Sequence, residues 1–343
     1  MPKATPTLAQ ITARTGDDSV LPFQLDALDV RGRFARLDSS IDKILRLHDY
    51  PAPVSGLLAE AMLLTTLIGQ TMKLEDRFSI QVRGAGPVRL VATDYFAPQN
   101  DDEPAQIRGY AGYDRDADLP SAGGLSLLGE GVMGVTIDHG HGQPYQGITP
   151  LVGDSLAECA EVYFAQSEQI ATRFALTAGQ AAAPGEEEQW RAGGIVIQHM
   201  PKASPLRQLP DGQVSGEAAQ LMTADAVAEM SGESENWRTA SLKLATVDPH
   251  ELVGPHLEPE ALLLRLFHED TPRVYIPQAV TFGCTCSRDK LESFLVGHPK
   301  DALDEMAQSG TISGDCQFCG REYRFEIEKL LAAQREQTKG ELK

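Results

Sequence analysis

Apolar residues recur at helical spacing over residues 52–74, where Leu57, Leu58, Met62, Leu64, Leu67 and Ile68 return every three or four positions. Side chains so spaced share one helix face, which predicts a long, largely apolar helix here behind a shorter one over 40–48. Beyond it the period drops to two. Runs over 78–82, 88–95, 105–113, 132–138 and 145–148 read as strands between glycine-rich turns, and 173–176 and 195–198 as two more. Val30, Gly32 and Phe34 carry the same alternation earlier in the chain. A helix over 154–168, capped by Asp154, is expected between them. This is the pattern of one α+β domain, a mixed sheet with helices, reaching to about residue 200.

Pro201, Pro205 and Pro210 with Gly212 and Gly216 then interrupt any regular element, so a loop and a domain boundary are expected. Three helices follow: 217–230 ended by Gly232, 235–247 starting from Ser234, and 259–268 with Pro259 in its first turn. Leu221, Val227, Trp237, Leu244, Leu263 and Phe267 give them narrow apolar faces, while acidic residues outnumber basic ones twelve to three over 211–270. Such helices keep their shape mainly by docking those faces on another surface. Near Arg273 the pattern turns strand-like at 274–276, passes through two short helices at 289–296 and 300–309, and ends in a strand over 322–327. The expected organisation is therefore an N-terminal α+β domain over 1–200, an acidic helical linker over 201–272 and a small C-terminal domain over 273–343.

Composition narrows the function classes. Asp and Glu total 49 against 30 Lys and Arg, a net charge of −19, so the chain as a whole repels phosphate backbones and anionic membrane surfaces. Neither nucleic acid nor membrane is an expected partner. The start, Met-Pro-Lys-Ala-Thr-Pro-Thr, has no apolar leader, and the 52–74 helix is interrupted by Glu60, Thr65, Thr66, Gln70 and Lys73, which points to a cytoplasmic protein. Gly84-Ala-Gly86 lacks the last glycine of a dinucleotide fingerprint, and neither a phosphate-binding G-x-x-x-x-G-K-[ST] loop nor a G-x-S-x-G elbow occurs. No enzymatic activity is expected.

Four of the five cysteines lie in the last fifth of the chain, as Cys284-Thr-Cys286 and Cys316-Gln-Phe-Cys319. Four thiolates at such spacing can close a tetrahedral zinc site, with one Zn(2+) per chain. The segment around them is too small for a self-sufficient core, a deficit that structural zinc commonly supplies. A C-x-C pair closes a small, strained ring when oxidised, and strained disulfides are the reversible ones. Inert and redox-responsive zinc both remain open on these grounds, as does a passive zinc-ribbon interaction module. A dithiol oxidoreductase built on Cys316 and Cys319 fits less well, because Gly320 and a strand follow where a helix N-terminus would activate the thiol. Cys159 shares a helical stripe with Leu156, Ala160, Tyr163 and Phe164 and reads as a core thiol, and His139-Gly-His141 reads as a solvated turn.

Several segments together resemble one family: Phe282-Gly-Cys284-Thr-Cys286-Ser-Arg, Cys316-Gln-Phe-Cys319-Gly, Tyr145-Gln146-Gly147, Asp154 to Phe164, and Ser167-Glu168-Gln169, with His48-Asp49-Tyr50-Pro51 and Gly86-Pro87. In order and in kind they are similar to the redox-regulated heat shock protein 33 chaperones. The resemblance implies an ATP-independent holdase whose four cysteines bind one zinc when reduced. It further implies that oxidants form Cys284–Cys286 and Cys316–Cys319 disulfides with release of the metal. The linker then loses structure, apolar surface is exposed to unfolding client proteins, and the active form is a homodimer. Structural zinc contributes on the order of 10–16 kcal/mol, against a total domain stability of roughly 5–15, so its loss is sufficient to unfold a small domain. The chain departs from the family pattern up to about Val20, at 99–103 and in the enlarged loop and linker over 204–236.

Overall fold

The computed structural model describes residues 17–341 except 73–75, 101–102, 122, 141, 183–184, 186, 201–233 and 308. The proline-rich loop and the helix expected at 217–230 lie outside the described residues. The chain divides into two compact units, Met1–Phe282 and Gly283–Lys343.

The first unit runs β1 (Ser19–Leu25), β2 (Val30–Leu37), α1 (Ser39–Arg46), α2 (Ala52–Thr71), β3 (Arg77–Gly84), β4 (Val88–Phe96), β5 (Ala105–Tyr113), β6 (Gly131–Asp138), β7 (Tyr145–Pro150), α3 (Leu156–Tyr163), β8 (Thr172–Ala181), β9 (Gln189–His199), α4 (Glu235–Leu244), α5 (Pro249–Val253), α6 (Pro259–Phe267), β10 (Arg273–Val274) and β11 (Gln278–Phe282). The strands form one sheet in the order β7-β6-β3-β4-β5-β11-β1-β2-β9-β8, with β10 beside β1. Neighbours are antiparallel except β11 and β5, where Val280 to Phe282 run parallel to Ala105 to Ile107. The α+β class read from the sequence is the class observed. The change of pattern at Arg273 marks a new domain in the sequence, but in the fold residues 273–282 supply two short strands, β10 and β11, to the first unit's sheet. The pairing of Ser19 with Ala279 and of Phe23 with Val274 is long-range, and local patterning carries no trace of it.

Alternation along the strands gives the sheet two apolar faces. Val20, Ala35, Leu37 and Val196 point to one, where they pack with Phe78, Ile80, Val91 and the long helix α2. Leu21, Phe23, Leu25, Val30, Phe34, Ile195 and Ile197 point to the other. The first face explains α2. Its Leu57, Leu58, Met62, Leu63, Leu64, Leu67 and Ile68 are all buried, and burying each stabilises the fold by about 1.5–3 kcal/mol gross. The helix has the length and apolarity of a membrane span, yet 78% of its most apolar window is buried inside the protein. Glu60, a polar interruption in the sequence, is half-buried against this core, and desolvation pushes its carboxyl up to about 7. The helix expected at 154–168 is shorter: Ser155, not Asp154, caps α3 by accepting from Glu158 N, and a π-helical turn follows at Phe164–Glu168. Ser155 is the residue whose hydroxyl reaches the open third amide.

Helices α4 and α6 cover the second face with Trp237, Ala240, Leu244, Leu262, Leu263, Leu266 and Phe267. These are the acidic helices with narrow apolar stripes, and the surface they dock on is the sheet. Between them the short α5 was not legible, being too brief to show a period. It carries a capping box at Asp248 and Glu251, and two buried arginines of the sheet hold it by its backbone. Arg36 donates from Nε to Leu252 O at 3.1 Å and from Nη2 to Glu251 O and Leu257 O at 3.0 and 2.9 Å. Arg191 Nε donates to Val253 O at 3.1 Å. Asp17 bridges both guanidinium groups and Asp38 adds a second carboxylate to Arg191 at 2.8 Å, so neither charge is buried alone. Gly193 makes this approach possible, since a Cβ there would lie 2.0 Å from Leu252 O.

The second unit contains α7 (Arg288–Val296), α8 (Lys300–Met306), β12 (Thr311–Asp315), β13 (Glu322–Glu326) and α9 (Ile327–Glu341). β12 pairs antiparallel with β13, from Thr311 opposite Glu326 to Asp315 opposite Glu322. The buried core is Leu295, Val296, Leu303, Ile312, Tyr323, Phe325 and Leu330. Seven side chains are a thin core for a unit of this length, as the sequence suggested.

Candidate metal centre

Two local devices shape the cysteine segments. Ser287 caps α7 by accepting from Lys290 N at 3.2 Å, and Lys290 Nζ reaches back to Thr285 O at 2.9 Å, so the helix start holds the Cys284-Thr285-Cys286 run in place. The second pair occupies the turn that joins β12 to β13. Cys316 N donates to Arg321 O at 3.0 Å, and Cys319 N and Gly320 N both donate to Cys316 O, at 3.3 and 2.8 Å. Gly320 has φ +65°, a left-handed conformation that costs glycine nothing. A cysteine pair on a hairpin turn lacks the helix N-terminus that activates thioredoxin-like dithiols.

These devices bring the four cysteines of the sequence motif together. Their Sγ atoms all lie within 4.8 Å of one another. Cys284 and Cys316 are 3.7 Å apart, and Cys286 and Cys319 are 3.4 Å apart. A tetrahedron of sulfurs around zinc at about 2.3 Å has edges of about 3.8 Å, whereas a disulfide needs about 2.05 Å. The separations and the all-thiol donor set thus fit a four-coordinate soft-metal site, and the four cysteines could hold a metal ion. None of the four is joined in a disulfide, and all are half-buried. Crowding makes the thiols unequal. Desolvation raises Cys319, and hydrogen bonds with the neighbouring thiols push it further, up to about 12. Desolvation acts against Cys286 as well, but hydrogen bonds from Tyr323 and the other three thiols outweigh it and bring Cys286 down to about 7.

Among the described residues no other group of three or more His, Cys, Asp and Glu has this geometry. Cys159 is fully buried on α3, donates to Val152 O at 3.2 Å, and its thiol is pushed up by desolvation. It stands apart from the cluster, in the core, as its stripe predicts. His139 is exposed, and its sequence partner His141 lies outside the described residues. Gly86 belongs to a tight turn, its N–H donating to Leu128 O at 2.6 Å. Two sets of residues near function carry no sequence signal that singled them out. Tyr323 Oη reaches Cys286 Sγ at 3.2 Å, and only its place four residues after the second pair could have drawn attention to it. Arg36 and Arg191 read as ordinary surface arginines until the fold buries them.

The comparisons with known proteins agree with this geometry. The family described as Hsp33 protein matches residues 18–326. The 33 kDa chaperonin of Caulobacter vibrioides is 36% identical over 329 residues, covering 93% of this chain and 99% of its own. That of Aeromonas salmonicida is 34% identical over 314 residues, covering 91% of this chain and 93% of its own. Among solved structures, the 33 kDa chaperonin (heat shock protein 33 homolog) of Thermotoga maritima matches with a TM-score of 0.70 at 21% identity, covering 94% of this chain and 99% of that one. That last likeness is one of fold.

Proposed function

The chain belongs to the Hsp33 family, and on that premise we propose that it is an ATP-independent holdase, switched on by oxidation of its four-cysteine site. The observation that carries this reading is the meeting of four sulfurs, from a C-x-C and a C-x-x-C segment, at metal-holding separations in a unit with a seven-residue core. Zinc, one per chain, would be held by Cys284, Cys286, Cys316 and Cys319, where it would keep the sulfurs as thiolates and tie the two segments together. Oxidation joins Cys284 to Cys286 and Cys316 to Cys319, each pair losing two electrons, and sulfurs so consumed no longer tie anything.

In this reading residues 1–200 are the chaperone body, 201–272 the linker, and 273–343 the segment carrying the switch, its first residues forming β10 and β11. The linker's described part covers Leu21, Phe23, Leu25, Val30, Phe34, Ile195 and Ile197 of the sheet. Its departure would expose that apolar face to unfolding client proteins, and the exposed form pairs as a homodimer. The protein acts in the cytoplasm, without nucleic acid, membrane or catalysis of its own. The test measures zinc release and suppression of aggregation of a denatured client, with and without peroxide at mild heat. Protection and zinc release should both require the oxidant. A reduced, zinc-loaded protein that protects as well as the oxidised one overturns the switch.

A further inference from the structure

Each sulfur of the cluster sits among different donors. The phenol of Tyr323 brings an O–H to within 3.2 Å of Cys286 Sγ. Its ring is buried in the core of the second unit beside Phe325 and Ile312, and its strand pairing with Gly314 fixes the approach of the hydroxyl. The Arg321 guanidinium stands beside the same hydroxyl and attracts its oxygen, which polarises the O–H toward the sulfur.

We propose that Tyr323 is a positioning residue that gates oxidation of the site: its O–H bond to Cys286 withdraws electron density from that sulfur and slows its attack on an oxidised neighbour. The proposal rests on the redox reading above and names its regulation. The chemistry it acts on balances as follows. The Cys284 thiolate attacks a peroxide oxygen, the S–O bond forms, the O–O bond breaks and hydroxide leaves, so sulfur loses two electrons to the peroxide. The Cys286 thiolate then attacks the Cys284 sulfenic sulfur, the S–S bond forms, the S–O bond breaks and a second hydroxide leaves. Tyr323 opposes that second attack, because the lone pair that must be donated is the one engaged by the phenol. Groups of this kind around metal-ligating side chains typically shift affinity or rate by about 10- to 100-fold.

Tyr323→Phe keeps the ring and removes the hydroxyl. Two readouts are taken on the full chain: the sulfur-to-cobalt charge-transfer band of the Co(II)-loaded protein, and the rate of zinc release to a chromogenic chelator after peroxide. The band should move to lower energy, since the sulfur lone pair is no longer stabilised, and zinc release should quicken by about ten-fold. Phe325→Leu, which loosens the same core but leaves the hydroxyl in place, should leave the band where it is. An unmoved band in Tyr323→Phe overturns the hydrogen bond, whatever the rate does. A moved band with a release rate within two-fold of the parent overturns the gate. If the parent protein keeps its zinc under peroxide, the redox reading itself fails, while the band still decides the hydrogen bond.

Discussion

Replacing Arg36 with Met removes the guanidinium that holds the α5 segment to the sheet while keeping a chain of similar length. Arg36 donates to three main-chain carbonyls, of Glu251, Leu252 and Leu257, at 2.9–3.1 Å. Hydrogen bonds from a charged group contribute about 1.5–3 kcal/mol each, but the buried guanidinium also carries a desolvation cost that the substitution relieves. The three carbonyls lose that donor in exchange and Asp17 keeps only Arg191, and removing one member of a buried charged set costs about 3–5 kcal/mol. A loss of that size raises the population of the undocked segment by roughly 10²- to 10⁴-fold. Hydrogen exchange at amides of 249–267 in the reduced, zinc-loaded variant should therefore quicken by about that factor, while β3 to β6 stay protected. Arg36→Lys, which keeps the charge beside Asp17 but cannot span all three carbonyls, should fall between. If docking of these helices also keeps the client surface covered, the reduced Arg36→Met protein should suppress client aggregation without oxidant. Exchange at 249–257 within about three-fold of the parent, in a variant that folds, would refute the clamp. Fast exchange without chaperone activity would instead refute docking as the restraint.

Three further outcomes follow from the cysteines and the half-buried carboxyl. Elemental analysis of the reduced protein should give one zinc per chain, and Cys316→Ser should lose stoichiometric tight binding and leave the unit from Gly283 onward unfolded by circular dichroism; a fully loaded variant would contradict the four-sulfur site. Cys159→Ala should cost about 1–2 kcal/mol of stability for the lost sulfur and its bond to Val152, yet leave oxidative activation intact, and a folded, zinc-loaded but inactivatable variant would sink the core assignment. Glu60, raised from 4.5 to about 7, is protonated in both folded and unfolded chains below 4.5 and costs nothing there; between 4.5 and 7 only the unfolded chain ionises, so stability falls as pH rises, by on the order of 3 kcal/mol, and stays lower above 7. Glu60→Gln should thus raise the melting temperature at pH 8 and hardly at pH 4.5, and an equal gain at both by calorimetry would exclude the titration.

How much of this protein could be read before folding depends on the range of the interaction. The long apolar helix, most sheet strands and the α4 and α6 stripes were legible because their signals are periodic and local. The cysteine cluster was legible for a related reason: metal ligation demands particular residue types at short spacings, and Cys284, Cys286, Cys316 and Cys319 meet that demand in two compact motifs. β1, β11 and β12 were weaker, since β11 and β12 are only five residues long and their ladders join residues far apart in sequence.

The rest belongs to tertiary structure. Arg31, Arg33 and Arg36 are indistinguishable as letters, yet only the pairing of β2 with β9, which sets Arg36 opposite Gly193, aims a guanidinium at the α5 carbonyls. Glu60 looks like a solvent-facing break in an apolar helix until α2 packs into the core, and partial burial then changes its acidity. Trp237 and Phe267 announce helices in need of a surface, but it is strand alternation across β1, β2 and β9 that builds the surface they find. Composition and period determined which elements form and which residues can ligate a metal, because both are short-range demands on side-chain chemistry. Only the assembled tertiary structure of each unit decided which charges are buried, which carbonyls they hold and which tyrosine reaches a sulfur, because each joins residues that covalent neighbours cannot bring together.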